Sequence, residues 1–201
     1  MTRTTRTQIG GWGALLAAVA IPLEILTLAI ASGPVDERLS SLPFTAADAI
    51  RTTGLLVAVI GLDRWLREIQ PRLAFAALVA GILGAGLGLV ADAMVVAGMS
   101  SSSFDLVIFV AVNTAIGCWY ILTGGILSRA GEDLRRIGWV GQLGGVGSIL
   151  ATALLASGMQ SAVRAPSWLD YAQLLGVFAI VFLVRLWRFA ALGRLPGPGL
   201  I

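Results

Sequence analysis

From Leu73 to Met99 the chain runs for 27 residues with Asp92 as its one charged side chain. At about 1.5 Å per residue, a helix of that length reaches about 40 Å, more than the roughly 30 Å hydrocarbon core of a bilayer. The stretch therefore reads as a membrane-spanning helix. At 100° per residue Ala74, Ala77, Gly81, Ala85, Gly88 and Asp92 share one stripe, with Gly84 beside it, so this face carries almost no side chain until the carboxylate. A stripe of small residues invites close helix packing. Exposing Asp92 to lipid would cost about 2.5–3.5 kcal/mol, so the carboxylate should point into protein.

Composition extends this reading to the whole chain. Hydrophobic residues make up 57%, charged residues only 12%, and the mean hydropathy is +0.89, values that belong to an all-α polytopic membrane protein. All 14 basic residues are arginine, which excludes lysine Schiff-base chemistry, and there is no histidine to ligate haem or zinc or to serve a triad. No cofactor and no metal are expected. Cys118 lies in an apolar run as the single cysteine and reads as a small core residue. The arginines cluster at span ends rather than on a soluble basic face, so no nucleic-acid partner is expected.

Apolar runs separated by short polar breaks predict six spans in one domain, at about residues 9–31, 45–62, 73–99, 106–127, 137–159 and 168–186. Six spans put both termini on one side. Arg3, Arg6, Arg64, Arg67, Arg72, Arg129, Arg135, Arg136, Arg185, Arg188 and Arg194 fall on that side, against Arg38 and Arg164 on the other, so the positive-inside rule makes the termini cytoplasmic. Trp12, Trp65, Trp139 and Trp187 are expected in an aromatic belt at the inner boundary, and Trp168 at the outer one. The small-residue stripe of the third span has counterparts at Gly13, Ala17, Ala20 and Glu24 and at Gly141, Gly145, Ser148 and Thr152. The three odd spans also end alike, at Ser32-Gly33, Ala97-Gly98-Met99 and Ser157-Gly158-Met159. This pattern suggests three copies of one helical hairpin, whose small-residue stripes would meet on one axis.

Helix rise places a polar tier at one depth. Glu24, Asp92 and Thr152 each come about 10 Å below the outer surface; Arg51 reaches the same level, with Asn113 slightly deeper. Opposite charges at one depth are what pairing inside a membrane requires. Glu24, Arg51, Asp92, Asn113 and Thr152 are thus the candidate ligand- or ion-binding residues. One guanidinium cannot neutralise two carboxylates, so convergence would leave a surplus to be met by a proton, a cation or hydration. Asp48, three residues before Arg51, is a competing i,i+3 partner. Asn113, Gly117, Tyr120 and Gly124 make a further small and polar stripe that suits helix contact.

The run from Tyr120 through Thr123-Gly124-Gly125 to Ser128-Arg129, with Arg135-Arg136-Ile137-Gly138-Trp139 and Gly144-Gly145-Val146-Gly147 after it, resembles uncharacterised bacterial six-span membrane proteins grouped as domains of unknown function. That resemblance implies the helical bundle alone, with no activity and no catalytic residues; the expected location is the bacterial cytoplasmic (inner) membrane. Two functions stay open. One is an accessory protein binding a lipid-like or small ligand in the outer third of the bundle, or docking membrane-complex subunits; the other is a small proton- or cation-coupled transporter or channel using Glu24 or Asp92. No catalytic residue is expected, and a carboxylate acid/base isomerase is about all that the residue types leave to an enzyme.

Overall fold

The computed structural model describes residues 3–30, 41–99, 102–156 and 165–192, with the side chains of residues 3–4, 28–29, 102–106, 133, 154–156 and 165–176 outside the description. Six helices occupy these residues: α1 (Arg3–Ile30), α2 (Leu42–Ile69), α3 (Pro71–Val96), α4 (Ser102–Leu127), α5 (Glu132–Ala156) and α6 (Ala165–Ala191). The first four contain segments long and apolar enough to cross a membrane: Thr5–Thr27, Leu42–Ile69, Pro71–Val96 and Val107–Leu127. Ser32, Gly33, Arg38, Arg164 and the 157–159 end, like the side chain of Trp168, fall outside the described residues.

Helix boundaries differ from the apolar runs where local chemistry extends or stops them. α2 continues seven residues past Leu62 to Ile69, because Trp65 and Leu66 go on burying its core face, with an Arg67–Asp63 i,i+4 pair at 2.8 Å on its surface. It stops at Gln70 (φ −147°), where Pro71 disfavours helical geometry in the preceding residue and then opens α3. α3 ends at Val96 rather than at Met99. Gly98 takes φ +67°, and its N–H and that of Met99 donate to Val95 and Met94 carbonyls, closing the helix in a Schellman cap.

Each helix packs against its sequence neighbours, and α6 returns to α1, so the six form a closed ring. The backbone N of Ala191 in α6 lies beside Gly11, Gly61 in α2 beside Gly10, and Arg129 Nη1 donates to Gln70 Oε1 at 3.0 Å. The start of α1, the α2–α3 and α4–α5 turns and the end of α6 therefore share one end of the bundle. Every exposed arginine among the described residues lies toward that end, while Leu16, Val19, Phe75, Leu83, Val90 and Leu143 give the ring an apolar outer surface. That distribution is what a lipid-facing exterior requires. The turn tryptophans are not uniform. Trp12 and Trp139 are exposed and Trp12 packs on Trp187, but Trp65 is buried, because it continues the core-facing side of α2 that carries Leu62 and Leu66. Cys118 is half-buried.

The small-residue stripes do not meet on an axis. The largest fully buried side chains among the described residues, including Leu55, Leu62, Trp119, Ile126, Phe182 and Leu186, all come from α2, α4 and α6. Trp119, Tyr120 and Phe182 form a triangle of edge and tilted ring contacts with centroids 5.3–6.4 Å apart. Gly81 of α3 and Gly141 of α5 face Trp119 and Phe182, leaving room that a methyl group would take. The small faces are instead shared out between ring neighbours: Gly81 and Gly141 receive bulky side chains, while Gly13 meets Gly54 and Gly117 meets Gly145.

A tight seam joins α1 to α2, where a Cβ on Gly54 would lie 2.7 Å from the Ala17 nitrogen and 2.8 Å from the Gly13 oxygen. Gly54→Leu should therefore destabilise the fold by about 1–3 kcal/mol, seen as a lower thermal midpoint in detergent. Gly86→Ala, at a position with open space around it, should leave that midpoint unchanged or slightly raised.

Candidate functional site

Asp48 and Arg51, three residues apart on α2, share one face, and the helix holds them rigidly. Thr52 completes the turn by donating its hydroxyl to the Asp48 carbonyl at 2.8 Å. Across the seam, α1 supplies Glu24 two residues after Pro22, with Thr27 donating to the Glu24 carbonyl at 2.8 Å. The close glycine contact below brings these two faces together. Arg51 Nε donates to Glu24 Oε1 at 2.6 Å and to Asp48 Oδ1 at 3.0 Å, and Nη2 donates to the same Asp48 oxygen. The guanidinium is thus clamped between two carboxylates. Its side chain is 6% exposed, against 14% for Glu24 and 11% for Asp48.

α3 brings Asp92 to the same place. One turn earlier, Gly88 lies against the Thr52 methyl group, where a Cβ would sit 2.6 Å away, so the missing side chain sets the α2–α3 distance. Asp92 faces Asp48 and Thr52 across this contact, within electrostatic range of Arg51 and Glu24. Among the described residues it makes no ion pair. Asp92 is 8% exposed, and its Oδ2 is buried with no hydrogen-bond partner among the described residues. Asp48 and Asp92 both line a cavity of about 40 Å³ walled by Phe44, Ile108, Phe109 and Val112. A cavity needs about 10–15 Å³ of such volume per water, so this one suits about three waters or a small ion, not a drug-sized organic molecule.

The expected tier is therefore split. Glu24, Arg51 and Asp92 do converge, with Asp48 as the stronger partner for Arg51 and Thr52 beside it. Asn113 and Thr152 belong to a separate polar seam between α4 and α5. There Asn113 Nδ2 donates to the Phe109 carbonyl at 2.9 Å, Thr152 donates to the Ser148 carbonyl at 2.7 Å, and Ser148 reaches the Asn113 carbonyl at 3.4 Å. Similar depth did not bring them to the cluster, because the order of helices around the ring places the α4–α5 seam away from the α1–α2–α3 corner, and there their amide and hydroxyl groups bond to nearby backbone. Thr52 was legible only as a neighbour of Arg51. Tyr120, read as part of a packing stripe, is buried in the aromatic triangle within electrostatic range of Arg51 and Glu24.

Three carboxyl groups surround one guanidinium. If all ionise, two negative charges are in excess, a state that a dry interior resists. Protons, a small cation or water in the adjoining cavity can make up the difference. Among the described residues no three Asp, Glu, Cys or His side chains gather as a metal site would require. No protein-family model matches this chain, and neither a curated protein nor a solved structure matches it, so function is argued from this geometry alone.

Arg51→Met would leave Glu24 and Asp48 as unpaired buried charges and should cost about 3–5 kcal/mol of stability, with Arg51→Lys losing less. Asp92→Asn, which removes a carboxylate that has no counter-charge, should leave stability within about 1 kcal/mol of the parent. Chemical denaturation in detergent micelles distinguishes the two: equal losses for Arg51→Met and Asp92→Asn would contradict the division of roles.

Proposed function

We propose that this is a six-span protein of the bacterial cytoplasmic membrane, termini inside, in which the Asp48–Asp92 pair takes up and releases a proton or small monovalent cation in the course of coupled transport. The observation that carries this reading is the buried, partnerless Oδ2 of Asp92 facing a second carboxylate across a water-sized cavity. The Arg51 clamp supplies the frame. It holds Asp48 and Glu24 in place with one positive charge, while Asp92 is free to change its charge without breaking an ion pair.

The gathering of exposed arginines at the end that holds the start of α1 and the end of α6 supports cytoplasmic termini. Alternation of small-faced α1, α3 and α5 with large-faced α2, α4 and α6 supports three related hairpins. An accessory role with a lipid-like or organic ligand at this tier is less well supported, because about 40 Å³ lies well below the roughly 300–1,000 Å³ of ligand pockets.

Purified protein reconstituted into liposomes with an internal pH dye provides the test. The wild type should dissipate an imposed pH gradient, or exchange it against sodium or potassium, faster than protein-free vesicles. Asp92→Asn and Asp48→Asn should lower the rate at least about tenfold, equivalent to about 1.4 kcal/mol of added activation free energy. Wild-type flux equal to that of empty liposomes under every cation gradient, or full flux in Asp92→Asn, would overturn the proposal.

A further inference from the structure

A second site lies at the arginine-rich end, away from the carboxyl cluster. Between α5 and α6 a cleft of about 620 Å³ is lined by Arg136, Ile137 and Val140 on one side and Val181, Arg185 and Phe189 on the other, with Glu132 at its rim. The helix repeat explains the alignment. Glu132, Arg136 and Val140 follow one another at single-turn spacing on α5, as Val181, Arg185 and Phe189 do on α6. Because the helices run in opposite directions, Arg136 meets the level of Arg185, and Val140 that of Val181 deeper in. The cleft is therefore cationic toward the bundle end and apolar toward its middle.

Neither arginine forms an ion pair with any described residue, and both are exposed. Two guanidiniums against one rim carboxylate leave one positive charge. A guanidinium fork presents two parallel N–H donors that match phosphate oxygens, and two forks from facing helices can hold one phosphodiester. Arg185 lies six residues before the end of α6, about 9 Å along the axis, which is headgroup depth if this end meets the membrane surface. Exposed Trp139 nearby and the Trp12–Trp187 pair belong at such a boundary.

The geometry points to an anionic glycerophospholipid of the inner leaflet, its phosphate held by Arg136 and Arg185 and the start of an acyl chain lying along Val140 and Val181. The matching of one net positive charge to one net negative headgroup, above an apolar floor, selects a lipid over a soluble anion and an acidic lipid over a zwitterionic one. This inference rests on the membrane topology proposed above and not on the carboxyl site, and its test requires no transport.

Native mass spectrometry of the full chain released from non-ionic detergent, after incubation with phosphatidylglycerol, phosphatidylcholine or inorganic phosphate, reads occupancy directly. Phosphatidylglycerol should give a one-to-one adduct that phosphatidylcholine does not match and that excess inorganic phosphate does not displace. Arg136→Gln with Arg185→Gln should reduce that adduct about tenfold or more. Should this pair fail to fold, Val181→Trp, which fills the apolar part of the cleft, should do the same. Equal retention of both lipids, displacement by phosphate, or an undiminished adduct in the folded variant would overturn the assignment.

Discussion

Arg51 is the group on which the interior of this bundle depends. Its guanidinium joins Glu24 of α1 to Asp48 of α2 in an apolar setting, where an uncompensated charge costs several kcal/mol. The clamp fixes the relative height of the two helices, since a slip by one turn would strand three charges. It also uses up the positive charge at this depth. Asp92, delivered by α3 to the same place, finds hydroxyl and carboxyl neighbours but no ion-pair partner among the described residues, and this imbalance is the source of the proposed chemistry.

Close approach makes that charge arrangement geometrically possible. Short side chains such as Asp48 and Asp92 cannot reach across a typical helix separation of about 8–10 Å unless the backbones draw together. Gly13 and Gly54 permit this between α1 and α2, and Gly88 against Thr52 permits it between α2 and α3. Elsewhere the same device serves packing alone. Gly81 and Gly141 accept the aromatic rings that fill the centre of the ring, so the bundle has a solid middle at that level instead of an open axis.

Much of this was legible in residue order. Uninterrupted apolar length marks the helices, the arginine distribution marks one end, and helix rise alone places Glu24, Arg51 and Asp92 at a common depth. The i,i+3 spacing of Asp48 and Arg51 announces their pairing. Depth is one coordinate, however, and a site needs two. Asn113 and Thr152 share the tier yet belong to the α4–α5 seam, because the order of helices around the ring places that seam away from the α1–α2–α3 corner. Trp65 shows the same limit: its position in the chain suits an interfacial belt, but its angle about α2 turns it inward.

By itself, then, the amino-acid order determined which segments leave water and how far along its helix each charge lies, since hydrophobic length and a constant rise are local properties. Only tertiary packing decided that Arg51 is shared between Glu24 and Asp48, that Asp92 has no ion-pair partner among the described residues, and that Gly81 and Gly141 receive large side chains while Gly13 meets Gly54. Those outcomes depend on rotation and neighbour order among six helices, which are set by contacts between residues far apart in the chain.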